Sequence, residues 1–154
     1  MKTVKLVHLS DLHIGPNFVI NHAKLLGQTG FTPEEYLAQK VALDVVSVVK
    51  AEPDFIVVSG DTSESGEEVE FRAASKFLDV LLKYIVRFGG KQLTFENIVI
   101  VPGNHDINRK DNEAAHLRFA GKLSAADTPE KFANFVAFAG SFYRGTSHGS
   151  AWAN

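Results

Sequence analysis

Three short apolar runs, each breaking off into the same kind of polar residue, constrain the fold more than any other feature of the sequence. Val4 to Leu9 ends at Ser10-Asp11-Leu12-His13, Phe55 to Val58 ends at Ser59-Gly60-Asp61, and Ile98 to Val101 ends at Pro102-Gly103-Asn104-His105-Asp106. Each run has the length and β-branched content of a strand. The second and third are apolar without alternation, which suits strands covered on both faces. Between the runs lie segments patterned as helices. Thr32-Pro33-Glu34-Glu35 supplies an N-cap, a proline at the first helical position and a capping-box glutamate, and Leu37, Val41, Val45 and Val48 follow at helical spacing, so a helix is predicted from Thr32 to near Pro53. Ser65, three residues before Glu68, marks the start of a second helix that carries Ala74, Phe77, Leu78, Leu81, Leu82 and Ile85 and stops at Gly89-Gly90. Two weaker helical stretches follow, one over Glu113 to Leu123 and one capped by Thr128-Pro129, whose Phe132, Phe135, Phe138 and Phe142 read as core packing.

Strands alternating with helices imply βαβ units with right-handed crossovers, hence an α/β fold with a mostly parallel sheet and flanking helices. A chain of 154 residues with 45% hydrophobic content makes one domain the expectation. A net charge of -2 gives no global electrostatic pull toward nucleic acid or an anionic membrane. The absence of cysteine excludes disulfides and thiolate metal sites, leaving Asp, Glu, His, Asn and carbonyl oxygen as possible ligands. The N-terminal MKTVKLVHLSDLH is too short in its apolar part, and too soon interrupted by His8 and Asp11, for a signal peptide or a membrane span, so a cytoplasmic protein is expected.

In open α/β sheets, sites form at the carboxyl ends of the strands. Here the three strand ends deliver carboxylates, imidazoles and an amide oxygen to one rim. Two divalent cations about 3.5 to 4 Å apart need a bridging anionic ligand, for which Asp61 is the candidate. Asp11 and His13, two apart in an extended segment, turn to one side and chelate one ion together, and Asn104 offers the second ion a neutral oxygen. Gly60 and Gly103 let the backbone turn sharply before the ligands. His105 is then free to protonate a departing oxygen, with Asp106 holding its ring. Other roles stay open: Asp61 as a turn or capping aspartate, Asn104 as a left-handed turn residue, His105 as a structural histidine satisfied by Asp106. His8 and His22 read as core or surface packing residues, with substrate contact as the alternative for His22, and the run Glu64, Glu67, Glu68, Glu70 reads as a solvated helix start.

The ordered set V-H-L-S-D-L-H-I-G, V-V-S-G-D and I-V-P-G-N-H-D resembles the calcineurin-like metallophosphoesterase family. Glu70-Phe71-Arg72-Ala73-Ala74 and the stretch Gly103 to Arg109 resemble its bacterial cyclic-nucleotide phosphodiesterase-like branch. The resemblance runs from Val4 to about Arg144 and implies an αββα sandwich of which this chain supplies the N-terminal half. It implies one divalent ion (Mn, Fe, Zn or Ni) on Asp11, His13 and Asp61, a second on Asp61 and Asn104, and leaving-group protonation by His105 with Asp106. The expected activity is hydrolysis of a phosphoester, a phosphodiester such as a cyclic nucleotide in particular. A nuclease is the alternative within the class, and a non-catalytic metal-binding or interaction module the alternative outside it. The family completes its metal shells with later histidines, including a Gly-His-x-His motif, and this chain has only His116 and His148 after His105. Residues 1–154 therefore read as a single, C-terminally truncated domain with weak or no turnover by itself.

Overall fold

The computed structural model describes residues 3–16, 32–49, 53–108 and 132–144. In chain order these form strand β1 (Leu6–Ser10), helix α1 (Pro33–Val49), strand β2 (Phe55–Ser59), helix α2 (Glu68–Arg87), a 3-10 turn (Phe95–Asn97), strand β3 (Ile98–Val101) and helix α3 (Ala133–Tyr143). The strands pair in parallel in the order β1-β2-β3, with Ser10 opposite Ser59 and Ser59 opposite Val101. This is the α/β fold with a parallel sheet and flanking helices that the alternating pattern predicts. The helical stretch over 113–123, the Thr128-Pro129 cap, and His22, His116 and His148 lie outside the described residues.

Sequential parallel strands joined by right-handed crossovers place their connecting helices on one face of the sheet. The burial pattern follows. Val7, Ile56, Val58 and Ile98 point into the core, while Leu6, Phe55, Val99 and Val101 are exposed on the other face. The expectation that the unbroken apolar runs are covered on both faces is therefore not met among the described residues. An apolar run records a demand for burial on both sides but cannot say what meets it.

Beneath the covered face, α2 is the central helix, with Phe71, Ala74, Phe77, Leu78, Leu81 and Ile85 fully buried. Helix α1 packs on it through Ala38 and Ala42, whose small side chains let the two backbones approach closely. Helix α3 lays its phenylalanines on the same core, as the Phe stripe predicts: Phe138 stacks on Phe71 at 5.1 Å between ring centroids, and Phe142 meets Phe95 edge-on at 4.9 Å.

The helix starts show one success and one correction. At α1, Glu35 N donates to Thr32 Oγ1 at 3.4 Å and Thr32 N donates back to the Glu35 carboxylate at 2.9 Å, which is the expected capping box. At α2 the cap is Glu67, not Ser65, and the helix begins at Glu68. The carboxylate of Glu70 accepts from Glu67 N at 3.2 Å and from Ser65 N and Oγ at 2.9 Å each, and Glu70 is only 4% exposed. The acidic run is thus not a uniformly solvated helix start, because its last member folds inward to satisfy the donors of the incoming turn.

Lys76 of α2 reaches Thr32 Oγ1 at 3.2 Å and the Glu35 carboxylate at 3.6 Å, tying the start of α1 to its neighbour. The Thr32 N–H holds the Glu35 carboxyl below its ordinary value, with a smaller opposing effect of burial and further help from Lys76. A depressed folded-state pKa gives stability that is present above the ordinary glutamate range and lost as pH falls through the folded value. Glu35→Gln is expected to remove this contribution, about 0.5 kcal/mol, so that between about pH 6 and pH 3 the wild-type protein loses more stability than the variant. Urea unfolding at a series of pH values measures the difference, and parallel pH profiles would refute the assignment.

Candidate metal centre

Because the strands are parallel and in register, all three leave the sheet at one rim. The β1–β2 ladder continues past the strand ends: Asp11 N donates to Gly60 O at 3.4 Å, His13 N to Asp61 O at 2.9 Å and Ile14 N to Thr62 O at 3.0 Å. On the other side Gly60 N donates to Val101 O at 2.8 Å. Backbone pairing therefore carries Asp11, His13 and Asp61 out to the same level.

The segment Asp11 to His13 is not extended, contrary to the expectation from residue spacing. Among the described residues, the non-glycine positions with positive φ are Asp11 at 54°, His13 at 44° and Asp61 at 46°. These are the three side chains whose ligand atoms all lie within 4.8 Å of one another, with His13 Nε2 at 4.0 Å from Asp61 Oδ2. Left-handed backbone replaces the alternation of a strand as the device that turns Asp11 and His13 to one side. Each such residue costs about 1 kcal/mol, somewhat less for Asp, and persists only where its surroundings dictate it. Two carboxylates and an imidazole at this separation fit a divalent cation of hard or borderline character.

Gly103 backs directly onto Asp61. A Cβ at position 103 would lie 2.2 Å from Asp61 Oδ1 and 2.3 Å from Asp61 N, so only glycine allows this approach. Gly60, at φ 74°, makes the preceding turn. Asn104 follows Gly103 on the same loop and is exposed at the rim.

His105 joins the cluster in two ways. Its backbone N–H donates to Asp61 Oδ1 at 2.9 Å, and its ring stands edge-on to His13 with centroids 4.7 Å apart. Its Nδ1 lies 2.7 Å from the carbonyl oxygen of Glu64, so a proton on Nδ1 is donated there and Nε2 remains for other chemistry. Asp106 does not hold this ring. Its carboxylate is fully buried and accepts from Thr62, Ser63 and Gly103 instead, so the orienting partner expected of Asp106 is the backbone of Glu64. Glu64 was not foreseeable as that partner, since a carbonyl oxygen leaves no mark in a pattern of side chains. His105, Glu64 and Glu67 also line a cavity of about 530 Å³ beside the cluster. His8 sits apart on the exposed face of the sheet, 2.5 Å from Ser59 Oγ.

A family model described as calcineurin-like phosphoesterase matches residues 4–151. No curated protein matches the chain. Among the described residues no helix is long and apolar enough to cross a membrane.

The left-handed backbone at His13 can be tested without metal. In the presence of a chelator, His13→Gly is expected to be more stable than His13→Ala by about 0.5 kcal/mol, reversing the usual order, because alanine keeps the Cβ penalty that glycine relieves. Denaturant unfolding of the two variants gives the sign, and a more stable alanine variant would rule out positive φ at this position.

Proposed function

Because the chain belongs to the calcineurin-like phosphoesterases, a family of metal-dependent phosphoester hydrolases, we propose that its rim cluster binds two divalent cations and hydrolyses a phosphodiester, a cyclic nucleotide in particular. The observation that carries this reading is the convergence of Asp11, His13 and Asp61 within 4.8 Å at strand ends of a chain in this family. In the proposed arrangement Asp11, His13 and Asp61 hold one ion, and Asp61 and Asn104 share the second. When bound, the ions supply Lewis-acid charge at the phosphoryl oxygens and lower the pKa of water.

The chain's own groups do the rest. Asp61 presents Oδ2 toward His13, while its Oδ1 is fixed by the His105 amide. This division restrains the carboxylate from rotating and leaves Oδ2 on the side of His13. His105 protonates the leaving alkoxide from Nε2, with Nδ1 anchored on Glu64 O, which sets the ring plane and the direction of proton delivery. The net charge of -2 supports a small substrate over a polyanion, and the spellings Glu70 to Ala74 and Gly103 to Arg109 support the cyclic-nucleotide branch. A cytoplasmic setting and a single domain over 1–154 belong to the same reading.

Asp61→Asn is expected to lower Mn²⁺ affinity at least about 100-fold by calorimetry and to abolish whatever hydrolysis the Mn²⁺-loaded protein shows. Unaltered Mn²⁺ binding would remove Asp61 from the site. In a parallel assay at equal phosphodiester concentration, the cyclic nucleotide should turn over faster than single-stranded DNA. The opposite order, with rates falling steeply in salt, would move the assignment to a nuclease.

A further inference from the structure

The two seams of the rim are built differently. Between the β1 and β2 extensions the backbone ladder continues, through Ile14 N to Thr62 O at 3.0 Å and as far as Glu64 N to Ile14 O at 3.3 Å. Between the β2 and β3 extensions, the backbone pairing among the described residues ends at Gly60 N to Val101 O at 2.8 Å. Beyond that point side chains join them: Asp61 Oδ1 accepts from His105 N, the His105 ring meets Glu64 O, Ser63 Oγ lies 3.4 Å from His105 O, and beneath these the Asp106 carboxylate spans both loops. Asp106 Oδ2 accepts from Thr62 N at 3.2 Å and from Gly103 N at 2.8 Å, so a single oxygen ties the loop after β2 to the loop after β3. Asp106 Oδ1 accepts from Ser63 N and from Ser63 Oγ, both at 2.8 Å. The carboxylate has no exposed surface, and its donors lie one and two residues after Asp61 and one residue before Asn104.

We propose that Asp106 is a positioning residue that sets the separation between the loop carrying Asp61 and the loop carrying Asn104 and His105. The assignment of those three residues to metal binding and proton transfer rests on the function proposed above; the bracing of one loop against the other does not. Two contacts make the site sensitive to that separation. His105 N reaches Asp61 Oδ1 at 2.9 Å, and Gly103 touches Asp61 so closely that no side chain fits between them. A small displacement of the third loop would break the first contact and carry Asn104 and the His105 ring away from Asp61. Asp106 thus acts through backbone groups on both sides of the ligands and touches neither the ligands' donor atoms nor the ring of His105.

The chemistry requires a carboxylate. Four donors converge on two oxygens, each with two lone pairs, so the demand is matched by an acceptor-only group. An amide offers one oxygen and turns an NH2 toward N–H groups that already donate. Asp106→Asn is nearly isosteric and should leave the helix-backed core in place while opening the seam.

The test is amide hydrogen exchange by NMR on the metal-free variant, followed by calorimetric titration with Mn²⁺. The expected result is at least about 10-fold faster exchange at the His105 amide with Ile56 and Val58 unchanged, together with Mn²⁺ affinity lowered about 10- to 100-fold. A purely structural role would speed exchange throughout and leave the affinity of the folded fraction unaltered. A folded variant with wild-type His105 protection would overturn the proposal. Should Asp106→Asn not fold, Ser63→Ala keeps the carboxylate and removes one donor. Since Ser63 Oγ also lies 3.4 Å from His105 O, the exchange is then read at the Gly103 amide, which donates to Asp106 Oδ2. A faster rate there supports the brace and an unchanged rate overturns it. A wild-type protein that takes up no Mn²⁺ would refute the metal-dependent function instead, and the exchange rates would still decide what Asp106 does.

Discussion

Ser10, Ser59 and Val101 stand level across a parallel sheet, and the chemistry at the rim depends on that alignment. Had any strand slipped by one residue, its side chains would have exchanged faces. Val7, Ile56 and Ile98 share a row in the core, so the hydrophobic demand of the buried face holds the register, and the register holds the strand ends. The long helix α2, buried along one side against all of this, is the platform from which the rim loops are supported. Packing and chemistry are therefore linked through strand alignment, with no direct contact needed between Phe138 and Asp61.

Above the rim the energetic logic reverses. Asp11, His13 and Asp61 occupy backbone conformations that cost free energy, and they are held there by hydrogen bonds between the loop after β1 and the loop after β2. Without a cation the two carboxylates, Asp11 and Asp61, repel at this separation. A divalent ion turns the same arrangement into a favourable one. Strain and like charge at the ligands are offset by core burial below, a common division in proteins whose sites are formed before their ligand arrives.

Much of this was legible in the sequence where the signal is local. Thr32 and Glu35 announce the start of α1, the apolar runs announce the strands, and the Phe stripe of α3 lands in the core because helical periodicity and size leave it no other place. The ligand triplet was legible as residue types at strand ends, but not its geometry. Spacing of two suggested an extended chelating pair, whereas the backbone uses left-handed turns, which are uncommon outside glycine though Asp and His adopt them more readily than most residues. Ser65 looked like a cap because capping residues are recognised by type; Glu67 caps because the chain reaches helical angles only after it. The burial of Glu70 was hidden for a similar reason, as it depends on which donors the preceding loop turns inward.

The pairing of His105 and Asp106 shows most clearly what adjacency cannot say. Neighbours in a loop rarely face each other, and here the two side chains diverge: the imidazole goes toward Glu64 and the carboxylate goes down into the seam between loops. Acid and base chemistry invites a reading in which every charged group near a site is part of the reaction. Burial argues otherwise for Asp106. A carboxylate with no exposed surface and four donors has no lone pair left for a substrate or a ring, so its charge is spent on holding backbone groups that a regular ladder would otherwise have paired. The sheet ends where its strands must part to make room for ligands, and there the buried Asp106 carboxylate, beneath the contacts of His105 with Asp61 and Glu64, pairs backbone groups of both loops as the ladder does elsewhere.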